Sequence, residues 1–398
     1  MSEASAAWQP RDEAELAAMV ADAAAERTPL AIEGGGTRSG LGRPTQTSAT
    51  LSTTKLAGIT LYEPTELVLS ASAGTPLAEV EATLAGKGQR LAFEPMDHRG
   101  LYGGTAEPTI GGVVAANVSG PRRIAGAAAR DALIGVRAVN GRGEIVKSGG
   151  RVMKNVTGLD LVKFLAGSYG TLAVLSEVTF KLQPVAEAEA TLILTSLDDA
   201  RAVAALSAAL GSPYSVTGAA HVPGEGAATA QTLIRLEGFA DSLAYRFDRL
   251  ATDLAAFGKA ERAGADQSAS LWRQVRDLAL LDAPARAPVW RVSVKPSAGP
   301  SIAAAARRAF PCRVLYDWGG GLVWIAGGED DDAGAAVIRA ATKAAGGYAT
   351  LVRAAPAARL SVEVFEPLPA PLMDLTRRLK ESFDPAAILN PGRMYAGV

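Results

Sequence analysis

Residues 108–120 read Pro108-Thr109-Ile110-Gly111-Gly112-Val113-Val114-Ala115-Ala116-Asn117-Val118-Ser119-Gly120. Small residues dominate this stretch, and Gly103 and Gly104 precede it. No large side chain stands between its backbone and whatever lies against it. Glycines let a backbone approach a ligand closely and leave N–H groups exposed as donors. Successive exposed N–H groups form a concavity suited to a phosphate. The same pattern also fits a tight turn with a small-residue helix packed behind it, and this stretch alone does not separate the two.

A second stretch favours the ligand. Pro29-Leu30-Ala31-Ile32-Glu33-Gly34-Gly35-Gly36-Thr37-Arg38-Ser39-Gly40 is a short apolar strand entering a glycine cluster. It is not a dinucleotide fingerprint, because the third glycine is missing and no helical pattern opens after it. It is not a P-loop either, because no Gly-Lys-Ser/Thr follows. What remains is a phosphate-sized nest with Thr37, Arg38 and Ser39 as polar donors.

The 398 residues carry forty basic and forty-one acidic side chains, a net charge of -1. That balance argues against a nucleic-acid binder, which would present a basic face. A single cysteine, Cys312, excludes an internal disulfide and any cysteine-built metal or iron–sulfur site in this chain. The two histidines, His98 and His221, lie far apart in sequence, so a histidine-rich metal site is not expected. No apolar run reaches membrane-spanning length and no leader pattern opens the chain, which predicts a soluble, cytoplasmic protein.

Helical spacing predicts a helix over 11–27, then a strand entering the first glycine loop. Strands are expected at 60–62 and 67–71. A helix follows to about Leu84, with Pro76 at its first position. After the central glycines, strands at 134–139 and 144–146 flank Asn140-Gly141-Arg142-Gly143, a strong hairpin signal. A short helix at 159–165 and a long strand at 171–182 close the first unit. The composition changes at 185–188. The middle region then reads β-α-β-β-α twice, with strands at 191–195, 214–221, 232–237, 289–294, 313–317 and 322–326. Helices fall at 198–210, 240–257, 301–309 and 333–345. Two such halves most simply form one antiparallel sheet with helices on one face, so the class is α+β. The connector 258–287 contains an amphipathic piece around Leu271, Trp272 and Val275. A last helix over 371–382 precedes Asp384-Pro385 and Asn390-Pro391-Gly392, which are turn formers.

Four motifs occur in order: Gly34-Gly35-Gly36-Thr37; Thr109-Ile110-Gly111-Gly112 with Asn117 and Gly120; Gly167-Ser168-Tyr169-Gly170-Thr171-Leu172; and Asp384-Pro385 with Asn390-Pro391-Gly392. Together they resemble flavoproteins whose FAD domain is of the vanillyl-alcohol-oxidase or p-cresol-methylhydroxylase type, in the 2-hydroxy acid dehydrogenase branch. Pro64-Thr65-Glu66-Leu67, Ser119-Gly120-Pro121-Arg122-Arg123, Val152-Met153-Lys154-Asn155-Val156 and Asn390 to Tyr395 narrow the resemblance to the E-type subunits of bacterial glycolate oxidases.

The resemblance implies an FAD domain over 1–184, an α+β cap over 185–370 and a C-terminal segment, 371–398, returning to the FAD domain. It implies FAD between two subdomains with the cap over its ring. Carried over by position, Gly34, Gly35, Gly36, Thr37, Arg38 and Ser39 would hold the pyrophosphate. Pro108, Thr109, Gly111, Gly112 and Ala115 would close around it. Asn117 and Gly120 would flank the adenosine side, and Val174 would meet the adenine. Asn390 and Arg393 would lie near the ring, where a cation favours the reduced flavin. Many relatives attach FAD through a histidine in the first glycine loop; this loop has none, so noncovalent FAD is expected. The paired histidines of hydroxy acid-oxidising relatives are also missing, which leaves the catalytic residues unassigned. His98, Tyr169, Lys154 and Arg122 remain polar candidates, each more readily read as structural.

The function this implies is the FAD-binding subunit of a multi-subunit glycolate oxidase or dehydrogenase. Its partners would be a homologous catalytic flavin subunit and an iron–sulfur subunit, with membrane association only through the complex. A stand-alone FAD alcohol oxidoreductase and a flavin-free assembly scaffold are the alternatives.

Overall fold

The first helix, Glu13–Glu26, starts where the Asp12 carboxylate accepts the Glu15 N–H, and it buries Leu16, Val20 and Ala23. That stripe packs on two short parallel strands, β1 (Leu30–Glu33) and β2 (Ala49–Ser52). The computed structural model describes residues 7–150, 160–224 and 228–398. The motif around Lys154 therefore lies outside the described residues.

Seven further strands complete the first unit: β3 (Ile59–Glu63), β4 (Val68–Ser72), β5 (Gln89–Arg90), β6 (Leu133–Asn140), β7 (Ile145–Gly149), β8 (Ala173–Lys181) and β9 (Gln183–Pro184). Five of them form an antiparallel sheet ordered β3-β4-β8-β6-β7. The expected hairpin joins β6 to β7. The Asn140 carboxamide oxygen accepts the Arg142 and Glu144 N–H groups, closing the turn as Asx residues do. One correction concerns Pro76: it caps the helix Leu77–Ala85 rather than beginning it.

The second unit is one eight-stranded antiparallel sheet. Its strands are β10 (Ala188–Thr195), β11 (Val216–Val222), β12 (Gln231–Gly238), β13 (Glu261–Ala263), β14 (Val289–Ser293), β15 (Cys312–Asp317), β16 (Leu322–Gly327) and β17 (Tyr348–Arg353). The order is β13-β10-β12-β11-β15-β16-β14-β17. The two β-α-β-β-α halves join in the sheet at His221 with Tyr316, and Arg307 and Tyr316 of the second half also bond Asp199 of the first. Edge strands β13 and β17 were missed in the sequence. Glu261-Arg262-Ala263 is too short and charged to read as a strand, and β17 gains its apolar partners only from β14.

Strict alternation gives this sheet two different faces. Leu192, Ile234, Trp290, Val292, Val323 and Ile325 point to the side covered by helices Asp199–Leu210, Ala240–Asp253, Gly299–Ala309 and Ala335–Ala344. Arg235, Glu237, Leu315, Leu322 and Trp324 point the other way, onto the first unit. That seam carries a charge network. Arg235 makes two bonds to Glu94, at 2.8 and 2.9 Å, Arg122 pairs with both Glu94 and Glu237, and Arg90 bonds Glu237 at 2.7 Å. Burial pushes both carboxyls up, but Arg235 and Arg122 outweigh it and hold each down to about 2. Arg122, a site candidate in the sequence, is thus an interdomain fastener.

The C-terminal helix, Ala370–Phe383, brings the chain back to the first unit, where Leu389 bridges in parallel to Leu30. The buried Lys380 ammonium donates to the carbonyls of Thr171 and Leu389, each at 2.7 Å, and to Asp384 at 2.8 Å. Asp384 in turn accepts the Ile388 and Leu389 N–H groups. This places Asn390 beside the first glycine loop.

Candidate functional site: a donor-lined cavity between glycine segments

Strand β1 delivers the chain into the loop 34–39, and the helix Ile110–Ala115 presents its first turn opposite. The fit between the two leaves no room for side chains. A Cβ on Gly34 would sit 2.1 Å from Thr109 Oγ1, one on Gly35 1.8 Å from the Glu107 carbonyl, and one on Gly111 2.7 Å from the Ala73 carbonyl. Gly36 has φ +75°, which glycine adopts without strain.

Two adjoining cavities run along this junction. One is lined by Gly34 to Ser39, Leu41, Thr109, Gly112, Ala115, Ala116, Tyr169, Asn390 and Arg393. The other continues past Gly111, Gly112 and Ser168 to Thr53, Val174 and Leu175. They share Ile32, Glu33, Gly34, Gly112, Ala115 and Tyr169. The backbone N–H groups of Gly34, Gly35, Gly36, Thr37 and Arg38 have no acceptor among the described residues. Thr109 caps its helix by accepting the Gly112 N–H at 3.3 Å. Buried or half-buried N–H groups are nearly always paired, so this run of donors calls for an anionic or carbonyl-rich group.

Arg38 adds a buried cation. It donates to the Met96 carbonyl at 3.2 Å, has no acid within ion-pairing reach among the described residues, and leaves its Nε without a partner. Burial holds its guanidinium down to about 10. His98 shares the Met96 carbonyl through Nδ1 at 3.3 Å. Burial and the Arg38 charge push it down to about 3, so it stays neutral at physiological pH.

The C-terminal motif locks the cavity from behind. The Asn390 carboxamide accepts the Ile32 N–H at 2.9 Å and donates to the Tyr169 carbonyl at 2.8 Å. Arg393 donates to the carbonyls of Arg38 and Ser39, both at 3.1 Å. Its guanidinium therefore shapes the first loop as well as lining the cavity.

Of the residues singled out in the sequence, Pro108, Asn117 and Gly120 do not line the cavities. The Pro108 carbonyl accepts the Leu77 N–H, Asn117 accepts the Arg130 N–H in a left-handed turn, and the Gly120 N–H donates to Phe93. Thr53, Ala73 and Leu175 line them without having been named, and Ser168 and Gly170, quoted only in a motif, line them too. No histidine or cysteine is among the described lining residues, and no cluster that could hold a metal occurs among the described residues. A larger cleft, about 1360 Å³, is lined in the second unit by Asp199, Arg307, Phe310 and Asp330 and shares no residue with these two cavities.

Residues 4–149 match a family described as FAD binding domain. The chain is 35% identical over 381 residues to glycolate oxidase subunit GlcE of Escherichia coli K12, covering 96% of this chain and 97% of that protein. It is 29% identical over 185 residues to glycolate oxidase subunit GlcD of Bacillus subtilis, covering 46% of this chain and 38% of the other. p-Cresol methylhydroxylase has the same fold at 13% identity and a TM-score of 0.75, over all of this chain and 90% of that one. A pyrophosphate fits a glycine loop, 34–38, whose N–H donors are unclaimed and which faces a second, close-packed glycine segment, and the chain belongs to the FAD-dependent oxidoreductase family of the glycolate oxidase GlcE-type subunit.

Proposed function

We propose that this chain is the FAD-carrying subunit of a multi-subunit 2-hydroxy acid oxidase or dehydrogenase, acting on glycolate or a close relative. Electrons would enter through a homologous catalytic flavin subunit and leave through an iron–sulfur subunit. The observation that carries the reading is the run of unclaimed N–H donors at Gly34–Arg38 facing Thr109, Gly111 and Gly112. In this reading the donors hold the pyrophosphate, and Arg38 supplies a counter-charge. Val174 and Leu175 receive the adenine, while Tyr169 and Arg393 border the ring. Bound FAD supplies a two-electron acceptor.

Among the described lining residues there is no histidine, and Glu33 is the one carboxylate. His98 stays neutral but does not line the cavity, and burial pushes the Tyr169 hydroxyl above its ordinary range. Efficient alcohol oxidation needs a base placed for the hydroxyl proton. The isolated holo-protein is therefore expected to bleach slowly or not at all when mixed anaerobically with glycolate, and to bleach when the partner subunits are added. Rapid, saturable bleaching without partners would move catalysis into this chain.

Because no histidine or cysteine lines the cavity among the described residues, the FAD is expected to be noncovalent. Acid precipitation should leave all yellow colour in the supernatant. Colour retained in the pellet refutes the noncovalent assignment, and colourless fresh protein refutes the FAD-carrier reading. Among the described residues no helix is long and apolar enough to cross a membrane.

A further inference from the structure

Arg123 opens the short helix Arg123–Gly126 of the FAD domain, and Arg291 lies in β14 of the cap. Their guanidinium carbons lie 4.5 and 5.0 Å from the centroid of the Trp318 ring. Arg291 also lies 6.0 Å from the Trp324 ring. Trp318 is tied to the FAD domain, its indole N–H donating to the Gly120 carbonyl at 3.1 Å. Two cations from different domains thus share one aromatic wall.

Neither has an acidic partner within ion-pairing reach among the described residues. The contrast with the same seam is sharp: Arg90, Arg122 and Arg235 are all matched to Glu94 or Glu237. Asp317 lies on the same sheet face as Arg291, two strands away, but its recorded hydrogen bond is with the Trp318 N–H. Burial pushes that carboxyl up to about 7, so it is a poor counter-ion at neutral pH. Ser293 and Tyr348, paired across β14 and β17, sit on the same face beside Arg291. Burial raises the Tyr348 hydroxyl, while Ser293, Arg291 and Arg123 pull it below its ordinary value. Tyr169, which lines the cavity, also lies in the Arg291 field.

Both side chains are half-buried, and two like charges against one wall repel; stacking on an indole offsets only part of that cost. An anion between them removes the penalty, and a carboxylate matches the planar guanidinium fork. We propose that Arg123 and Arg291 form a carboxylate subsite split between the FAD domain and the cap, with Trp318 as its shared wall. Occupancy clamps the cap onto the FAD domain. The role of this subsite as a substrate pocket rests on the proposed function above; its binding of a carboxylate does not.

The test uses the purified full chain with its FAD and oxalate as probe, followed by calorimetry and by tryptophan fluorescence. Wild type binds oxalate, and Arg291→Met or Arg123→Met weakens binding at least about 30-fold. Arg291→Lys retains an intermediate affinity, since it keeps charge and loses the fork. Ligand-free Arg291→Met melts no lower than wild type, because an unmatched half-buried cation is removed. A structural arginine would behave oppositely, so a lower melting temperature with unchanged oxalate affinity overturns the proposal. So does failure of the wild type to bind oxalate. Inorganic phosphate binding as tightly as oxalate, with the same loss in Arg291→Met, overturns the carboxylate assignment. Flavin absorbance separates the two readings. Wild type lacking FAD but binding oxalate through Arg291 supports the subsite and rejects the proposed function.

Discussion

Gly112→Val is expected to abolish FAD binding while the apo-protein keeps a melting temperature close to that of wild type. The two effects separate because of what surrounds this position. A Cβ at Gly112 meets Thr109 Oγ1 at 3.3 Å and Arg38 Nη1 at 3.5 Å, so the protein itself tolerates it with little adjustment. Gly34, Gly35 and Gly111 would clash with backbone or with a short side chain, and substitution there would confuse folding with binding. Gly112 lines both cavities, and the branches of a valine would fill the space that the pyrophosphate needs. Losing the cradle contacts should weaken FAD affinity by about 100-fold or more, roughly 3 kcal/mol. Flavin content after gel filtration and apo-protein melting are measured on the same preparation. Full FAD occupancy in the variant would show that this segment does not hold the cofactor.

Glu94→Gln should lower stability by about 3 kcal/mol, because it leaves Arg122 and Arg235 sharing the single carboxylate of Glu237 in the seam. Chemical denaturation at neutral pH measures the loss. The pH dependence gives a second reading. The folded-state value of Glu94, about 2, lies below its ordinary 4.5. Its contribution is therefore present above about pH 4.5 and is lost as pH falls toward 2. Glu237 behaves alike. Wild type should lose stability steeply across that window, and Glu94→Gln should show a flatter acid limb. Equal acid limbs in the two proteins would mean that the network does not fasten the cap.

The architecture was legible because its signals are local. The glycine runs at 34–36 and 111–112, the Asn140-Gly141 turn and the period-two strands of the cap all express themselves within a few residues. So do Asp384-Pro385 and Asn390-Pro391-Gly392. β13 escaped because three residues carry almost no pattern, and β17 because its apolar positions matter only beside β14. Pro108, Asn117 and Gly120 were grouped with the site by the family resemblance. Their polar groups are instead engaged with Leu77, Arg130 and Phe93, away from the cavities.

The sequence by itself determined the class of the fold, the two glycine segments and the absence of histidine or cysteine from the first of them. These depend on backbone freedom and side-chain chemistry, which are written residue by residue. Tertiary structure alone decided which charges are matched. Arg122 and Arg123 are adjacent in sequence, yet one is clasped by Glu94 and Glu237 and the other stacks on Trp318 with no acid in reach among the described residues. Arg235 and Arg291 lie on the same face of one sheet and divide the same way. Coulomb energy depends on distance and burial, and the partners here lie far apart along the chain. Only the docking of the cap on the FAD domain brings them together.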